Sequence, residues 1–169
     1  MDRGSIMQKK DRSKGTMVKG IVTTAKNDGS ERTDYLFRIS LKAVIHDDQG
    51  RLLVVKEHGL NWGLPGGGLD HDESLQSALA RELKEEVGYD GVFEFETIGT
   101  EGPVYVQSLD IWLVWIVFHV TPTSSDFMVG VDAEDMKFID VDELLQYDDN
   151  QAQYARKFHD IVIARESRR

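Results

Sequence analysis

The stretch GGLDHDESLQSALARELKEEVGY, residues 67–89, decides how this chain is read. Its second half has helical spacing. At about 100° per residue, with Glu82 set at zero, Glu85 falls near −60° and Glu86 near +40°. The three carboxylates share an arc of roughly 100°. Leu75, Leu79, Leu83 and Val87 follow an i, i+4 stripe from about 20° to about 140°. The carboxylate arc therefore borders the apolar stripe and partly overlaps it. Lys84 and Ser77 fall on the far side, where solvent is expected. The spacing predicts a helix over 72–87.

A helix built only for structure does not benefit from this pattern. Like charges at i, i+4 cost a few tenths of a kcal/mol per pair even when exposed. Beside a buried face the cost grows, because the charges are desolvated. Arg81 can neutralise one carboxylate, with Glu85 at i+4 its natural partner. A hard divalent cation would serve the rest, since Mg²⁺ takes carboxylate and phosphate oxygens and keeps several waters. The bland alternative is a solvated, glutamate-rich surface. The residues upstream decide between the two. There Leu64-Pro65-Gly66-Gly67-Gly68 allows positive φ and close backbone approach, followed by the cap-like Asp70, Asp72 and Glu73.

Together these residues resemble the Nudix signature, G-x5-E-x7-R-E-U-x-E-E-x-G-U, where U is a bulky apolar residue. Gly67, Glu73, Arg81, Glu82, Leu83, Glu85, Glu86 and Gly88 meet it at the required spacing. Tyr89 stands where the family usually has an aliphatic residue, a departure that touches packing rather than metal binding. The lead-in from Trp62 to Gly68 is also similar to the family's own. In order of elements, the resemblance runs from Tyr35 to Ala164.

The resemblance implies an α/β (α+β) fold, an α/β/α sandwich around a mixed β-sheet. The box would form a loop–helix–loop that binds Mg²⁺ or Mn²⁺. Glu82, Glu85 and Glu86 are the implied metal ligands, with the backbone carbonyl of Gly67. Arg81 would orient a glutamate through an ion pair. Glu73, Gly66 and Gly68 would support the loop, and Gly88 would turn the chain out of the helix. The implied reaction is water attack on one phosphorus of a diphosphate linkage. A bound metal neutralises phosphate charge and lowers the pKa of the water. The base is Glu85, Glu86 or an acid outside the box. Asp126, Asp132, Glu134 and Asp135 are the outside candidates, and Glu134 is the choice because it precedes a short strand. Arg38, His58 and Trp62 are the candidate substrate contacts.

The rest of the chain fits this frame. Strands are expected over 17–24, 37–45, 92–100, 110–121 and 136–139. Residues 26–32 and 58–69 read as loops. Residues 51–56 read as the second arm of a hairpin, closed by a turn at Asp47–Gly50. A helical turn is expected at 142–145 and a helix over 151–164, where Tyr154, Phe158, Ile161 and Val162 recur at helical period. His46, His119 and His159 read as structural. Trp112 and Trp115, three apart on one strand, should face opposite ways. Residues 1–34 are taken as an extension with a short strand, and residues 35–169 as the catalytic domain.

Length and composition limit the alternatives. The chain has 169 residues, enough for one domain with a real core. It has no cysteine, which excludes disulfides and thiolate sites. An isoprenoid-diphosphate isomerase of this fold uses a cysteine and is excluded with them. A net charge of −10 disfavours long nucleic acid. A small nucleotide-derived substrate remains compatible, since a bound cation inverts the local field. No apolar run approaches the ~20 residues of a membrane span. The polar, basic start lacks the apolar core of a signal peptide, and a cytoplasmic protein is expected. The strand at 17–24 could pair with a second copy in a homodimer.

The substrate is less constrained. Pro103 and Tyr105 stand where the family carries markers for ADP-ribose and for diadenosine polyphosphate hydrolases, and the two markers conflict. A nucleoside diphosphate linked to a sugar or similar group, the nucleotide-sugar or ADP-ribose class, is favoured. Nucleoside triphosphate or diadenosine polyphosphate hydrolysis follows. A non-catalytic nucleotide sensor is the reading from another class. It is disfavoured because every box glutamate is kept and the chain has no room for a second domain.

Overall fold

The computed structural model describes residues 16–18, 20–107, 109–147 and 149–168. The polar start, residues 1–15, lies outside the described residues. The segment expected as one strand at 17–24 is two, β1 (Thr16–Val18) and β2 (Ile21–Ala25). Gly20, at φ +73°, turns the chain between them. The expected loop at 26–32 is a short turn running into β3 (Glu31–Tyr35). These strands form an antiparallel sheet with β2 in the middle and β1 at one edge, so of the strand offered for pairing between copies Ile21–Thr23 is paired on both edges within the chain.

The core is built on β4 (Arg38–Val44) and β5 (Leu52–Glu57), which are largely buried on both faces. The Asp47–Gly50 turn joins them as expected, with Gly50 N–H donating to Asp47 O at 2.9 Å. The expected hairpin is confined to its tip, where Asp47 N–H donates to Arg51 O at 3.0 Å. Contact between the two strands is an isolated bridge, His46 with Leu52, and a bond from Leu53 N–H to Ile45 O at 2.9 Å. The reason is competition for edges. One edge of β4 pairs in parallel with β8 (Ile111–Pro122), and its other edge takes the glycine loop. β5 lies between β6 (Trp62–Gly63) and β9 (Ala133–Ile139). β7 (Phe93–Val106) completes the β4-β8-β7 sheet. It runs beyond the expected end at Thr100, because register shifts after Thr97 and Glu101 let it follow β8 past Pro103.

Helices cover both faces of these sheets. α1 (Leu75–Val87) packs Ala78, Leu79, Leu83 and Val87 against Leu41, Ala43, Ile45, Val55 and Phe118. α2 (Val141–Leu144) and α3 (Asn150–Glu166) pack Leu144, Phe158 and Val162 against Val44, Val54, Trp115 and Val117. The result is the α/β/α arrangement, with the strands divided between two core sheets. Trp115 is buried and Trp112 exposed, as their odd spacing requires.

The three histidines meet at the far end of β4. His46 and His159 ring nitrogens lie 2.9 Å apart, and the His46 and His119 rings are 6.2 Å apart. Burial, followed by repulsion from His159 and His119, pushes His46 down to about 4. The unfolded chain then binds a proton that the folded chain refuses between pH 6.5 and 4. His46 therefore costs stability as pH falls below 6.5, and none above it. Allowing for its partial exposure, the expected loss by pH 4 is about 1–2 kcal/mol. Urea unfolding at pH 7 and pH 5, in the native chain and in His46→Gln, checks this. A variant that loses as much as the native chain on acidification sinks it.

Candidate active site

The glycine loop is held as if it were another strand of the sheet. Leu41 N–H donates to Gly67 O at 2.8 Å, Ala43 N–H to Pro65 O at 2.9 Å, and Leu69 N–H to Ile39 O at 3.0 Å. This brings the loop onto the carboxylate side of α1. The helix begins at Leu75, later than expected. Asp72 has φ +65°, and Ser74 caps the helix by accepting from Ser77 N–H at 3.1 Å. Leu75 is consequently exposed and outside the core stripe. At the other end Gly88, at φ +60°, closes the helix with its N–H on Leu83 O.

Two of the three carboxylates are buried. Glu82 is 8% exposed and Glu86 4%, while Glu85 is half-exposed. Glu86 Oε2 accepts the Gly66 N–H at 2.7 Å. The Glu82 carboxylate lies on Gly67, where an added Cβ would come within 2.6 Å of its oxygens. Burial raises Glu82 above the usual carboxylate range. It pushes Glu86 up to about 7, with Glu57 and Glu82 adding to the effect and Lys42 and the Gly66 N–H opposing it.

Arg81 ties the loop to the helix. It donates Nε to Glu73 Oε1 and Nη2 to Glu73 Oε2, both at 3.0 Å, and Nη2 also reaches Gly68 O at 3.0 Å. Nη1 reaches Glu82 Oε1 at 2.6 Å and Glu85 Oε2 at 3.2 Å. Its principal partner is thus Glu73, not the expected Glu85.

The donors suit a hard divalent cation: buried carboxylates that resist ionising, set against loop carbonyls, with only oxygen on offer. Among the described residues no three Asp, Glu or His side chains converge on one point. Arg81 holds the Glu82 and Glu85 oxygens, and Glu86 turns to Gly66.

The NUDIX domain family matches residues 36–161. The chain belongs to the Nudix family. An RNA pyrophosphohydrolase of Saccharophagus degradans is 48% identical over 54 residues, 31% of this chain and 32% of that protein. The chain therefore spans about a third of the length of that relative. Nucleoside triphosphatase NudI of Salmonella newport is 26% identical over 98 residues, 54% of this chain and 70% of that one. In fold, the chain resembles the MutT protein of Methanosarcina mazei Go1, with a TM-score of 0.59 at 23% identity, over 79% of this chain and 96% of that one.

Within this Nudix fold, the remaining sequence candidates fall in separate places. Arg38 lies against Gly68 and bonds Asp70 at 3.3 Å, beside the loop. Glu134, the expected base, pairs with Lys56 at 2.9 Å and His58 at 3.3 Å. Lys56 holds its carboxyl below the usual range. Asp132 donates its N–H to Glu85 O at 2.9 Å, which sets its backbone against the carboxylate helix. Trp62 packs on the α3 side of the sheets, with Lys137 Nζ 4.1 Å from its ring centre. Gly67 O accepts from Leu41 N–H, whereas Gly66 O faces Lys42.

Three features escaped the sequence reading. Lys42, on β4, is buried at this site. Glu57 adds its charge near Glu86, and its place two residues after the buried Val55 could have revealed its face. The loop at 127–132 caps the end of α1, with Met128 and Gly130 N–H groups on Val87 O at 3.1 Å and Glu86 O at 2.9 Å. Only glycine fits there: a Cβ at Gly130 would lie 2.1 Å from Glu85 O.

Proposed function

We propose that this chain is a metal-dependent pyrophosphohydrolase that splits a diphosphate linkage in a nucleoside diphosphate derivative. The observation that carries the reading is the desolvated Glu82–Glu86 pair against the glycine loop. Family membership supports the same chemistry. Glu82, Glu85 and Glu86, with a loop carbonyl, would hold the divalent ion. That ion supplies charge neutralisation and an activated water. The chain's own residues then have positioning work, which dominates phosphoryl transfer. Arg81 fixes Glu82 and Glu85 relative to the loop, and Arg38 offers a guanidinium to a phosphate oxygen. Glu85 and Glu86, and outside the box Asp132 or Glu134, are the candidate bases.

A cavity of about 170 Å³ lies between the sheet and the start of α3, lined by Leu113, Trp115, Gln151 and Tyr154 among others. Leu113 pairs in register with Arg38, so a nucleoside in this cavity would place its phosphates toward the loop. Lys56, Glu134 and His58 form a polar strip near Trp62, able to bind sugar hydroxyls. This favours the nucleotide-sugar or ADP-ribose class. The relative named nucleoside triphosphatase NudI supports a second reading, attack on a nucleoside triphosphate.

The test is a screen with Mg²⁺ or Mn²⁺ against ADP-ribose, nucleotide sugars, diadenosine polyphosphates and nucleoside triphosphates. Glu85→Gln serves as control, with Asp132→Asn and Glu134→Gln compared for the base. Turnover of one class that disappears in Glu85→Gln supports the proposal. Nucleotide binding without turnover of any class would overturn it in favour of a sensor.

A further inference from the structure

Neither the signature nor the substrate argument uses Lys42. It sits within β4 between Leu41 and Ala43, is 9% exposed, and is the buried lysine of the described residues. A lysine in a sheet core is expensive unless its charge is held. Here its Nζ donates to Leu64 O at 3.2 Å and to Gly66 O. Gly66 in turn donates its N–H to Glu86. Ammonium, loop and carboxylate form one connected unit, and the Lys42 charge acts on both Glu86 and Glu82. Arg81 meanwhile serves Glu73, Glu82 and Glu85. Lys42 is thus the cation linked to Glu86, through the Gly66 peptide.

We infer that Lys42 is a resident cation of the carboxylate cluster, neutralising Glu86 and Glu82 when no divalent ion is bound and repelling such an ion from the site. The inference rests on the metal reading above. Like charges that share a partly desolvated site repel, because the field between them is less screened than in water. A free divalent ion then binds weakly. One that arrives with a nucleotide brings its own negative charge and is repelled less. Lys42 is a positioning residue in this sense: it acts on the metal through the field it sets.

Binding of Mn²⁺ alone, followed by the electron paramagnetic resonance of the unbound ion, tests this in the full chain, Lys42→Met and Lys42→Gln. Both neutral variants are expected to bind Mn²⁺ at least about tenfold more tightly, equivalent to about 1.4 kcal/mol. Mn²⁺ should also raise their Tm more than it raises that of the native chain. A lysine that merely props up the sheet would leave Mn²⁺ affinity unchanged or weaken it, and either result overturns the inference while the metal reading stands. Mn²⁺ bound by none of the three proteins overturns both. Should the variants fail to fold, the native chain decides. The shielded Lys42 ammonium is expected to give a slowly exchanging Nζ resonance that shifts when Mg²⁺ binds, and an unmoved resonance with Mg²⁺ bound overturns the inference.

Discussion

Glu86→Gln is expected to lower turnover by about 10²–10³-fold, the usual loss on removing one charge-stabilising group from a site. The same change should make the metal-free protein more stable above pH 7. The carboxyl is 4% exposed and pushed up to about 7, against about 4.5 in the unfolded chain. A group whose folded pKa is raised favours folding fully below its unfolded pKa, and that advantage is lost as pH rises through the folded value. Glu86 therefore costs the metal-free fold up to about 3 kcal/mol at pH 8. Glutamine keeps an oxygen for the Gly66 N–H and carries no charge, so it escapes this cost. Adding Mg²⁺ should stabilise the native protein and do much less for the variant. Urea unfolding at pH 5 and pH 8, with and without Mg²⁺, reads all of this. A variant that loses both activity and metal-free stability at pH 8 would mean that the Glu86 charge supports the fold instead of straining it.

Gly66→Ala is expected to be the most damaging glycine substitution in the loop. Gly66 has φ +121°, and an added Cβ would lie 2.3 Å from Leu41 O and 3.1 Å from Leu41 C. Neither neighbour can retreat. Leu41 is fully buried and pairs with Ile116 of β8 on its far edge. The loop must then lift away from β4, giving up its bonds to the sheet and the Gly66 N–H to Glu86. Backbone strain of roughly 1–3 kcal/mol, with the clash added, should lower Tm by roughly 6–12 °C. Gly59→Ala is the control: φ is +73° there too, but a Cβ would meet nothing within 4 Å. Equal losses of Tm in the two variants would show that the clash with Leu41 is relieved at little cost.

The box residues were legible because their chemistry is local. Helical period alone sets Glu82, Glu85 and Glu86 against the stripe of Leu79, Leu83 and Val87, and Gly88 ends the helix where left-handed φ is needed. The alternation and β-branching of residues 37–45, and the run RLLVVK at 51–56, likewise announced strands. Sequence periodicity carries no record of which strand edges compete. That is why β4 and β5, joined by a readable turn, entered different sheets, and why β4 paired with the glycine loop. Lys42 was hidden for the same reason: its alternation in β4 gives a face, but only the loop folding across the edge makes that face a carbonyl-lined pocket beside Glu86. The partners of Glu134, the approach of Asp132 to Glu85 and the capping of α1 by Met128 and Gly130 are all meetings of distant segments. Residue order alone specifies which groups are available for the chemistry. Tertiary structure decided how deeply each is desolvated and which charge answers it, because burial and Coulomb interactions depend on distances that the order of residues does not contain.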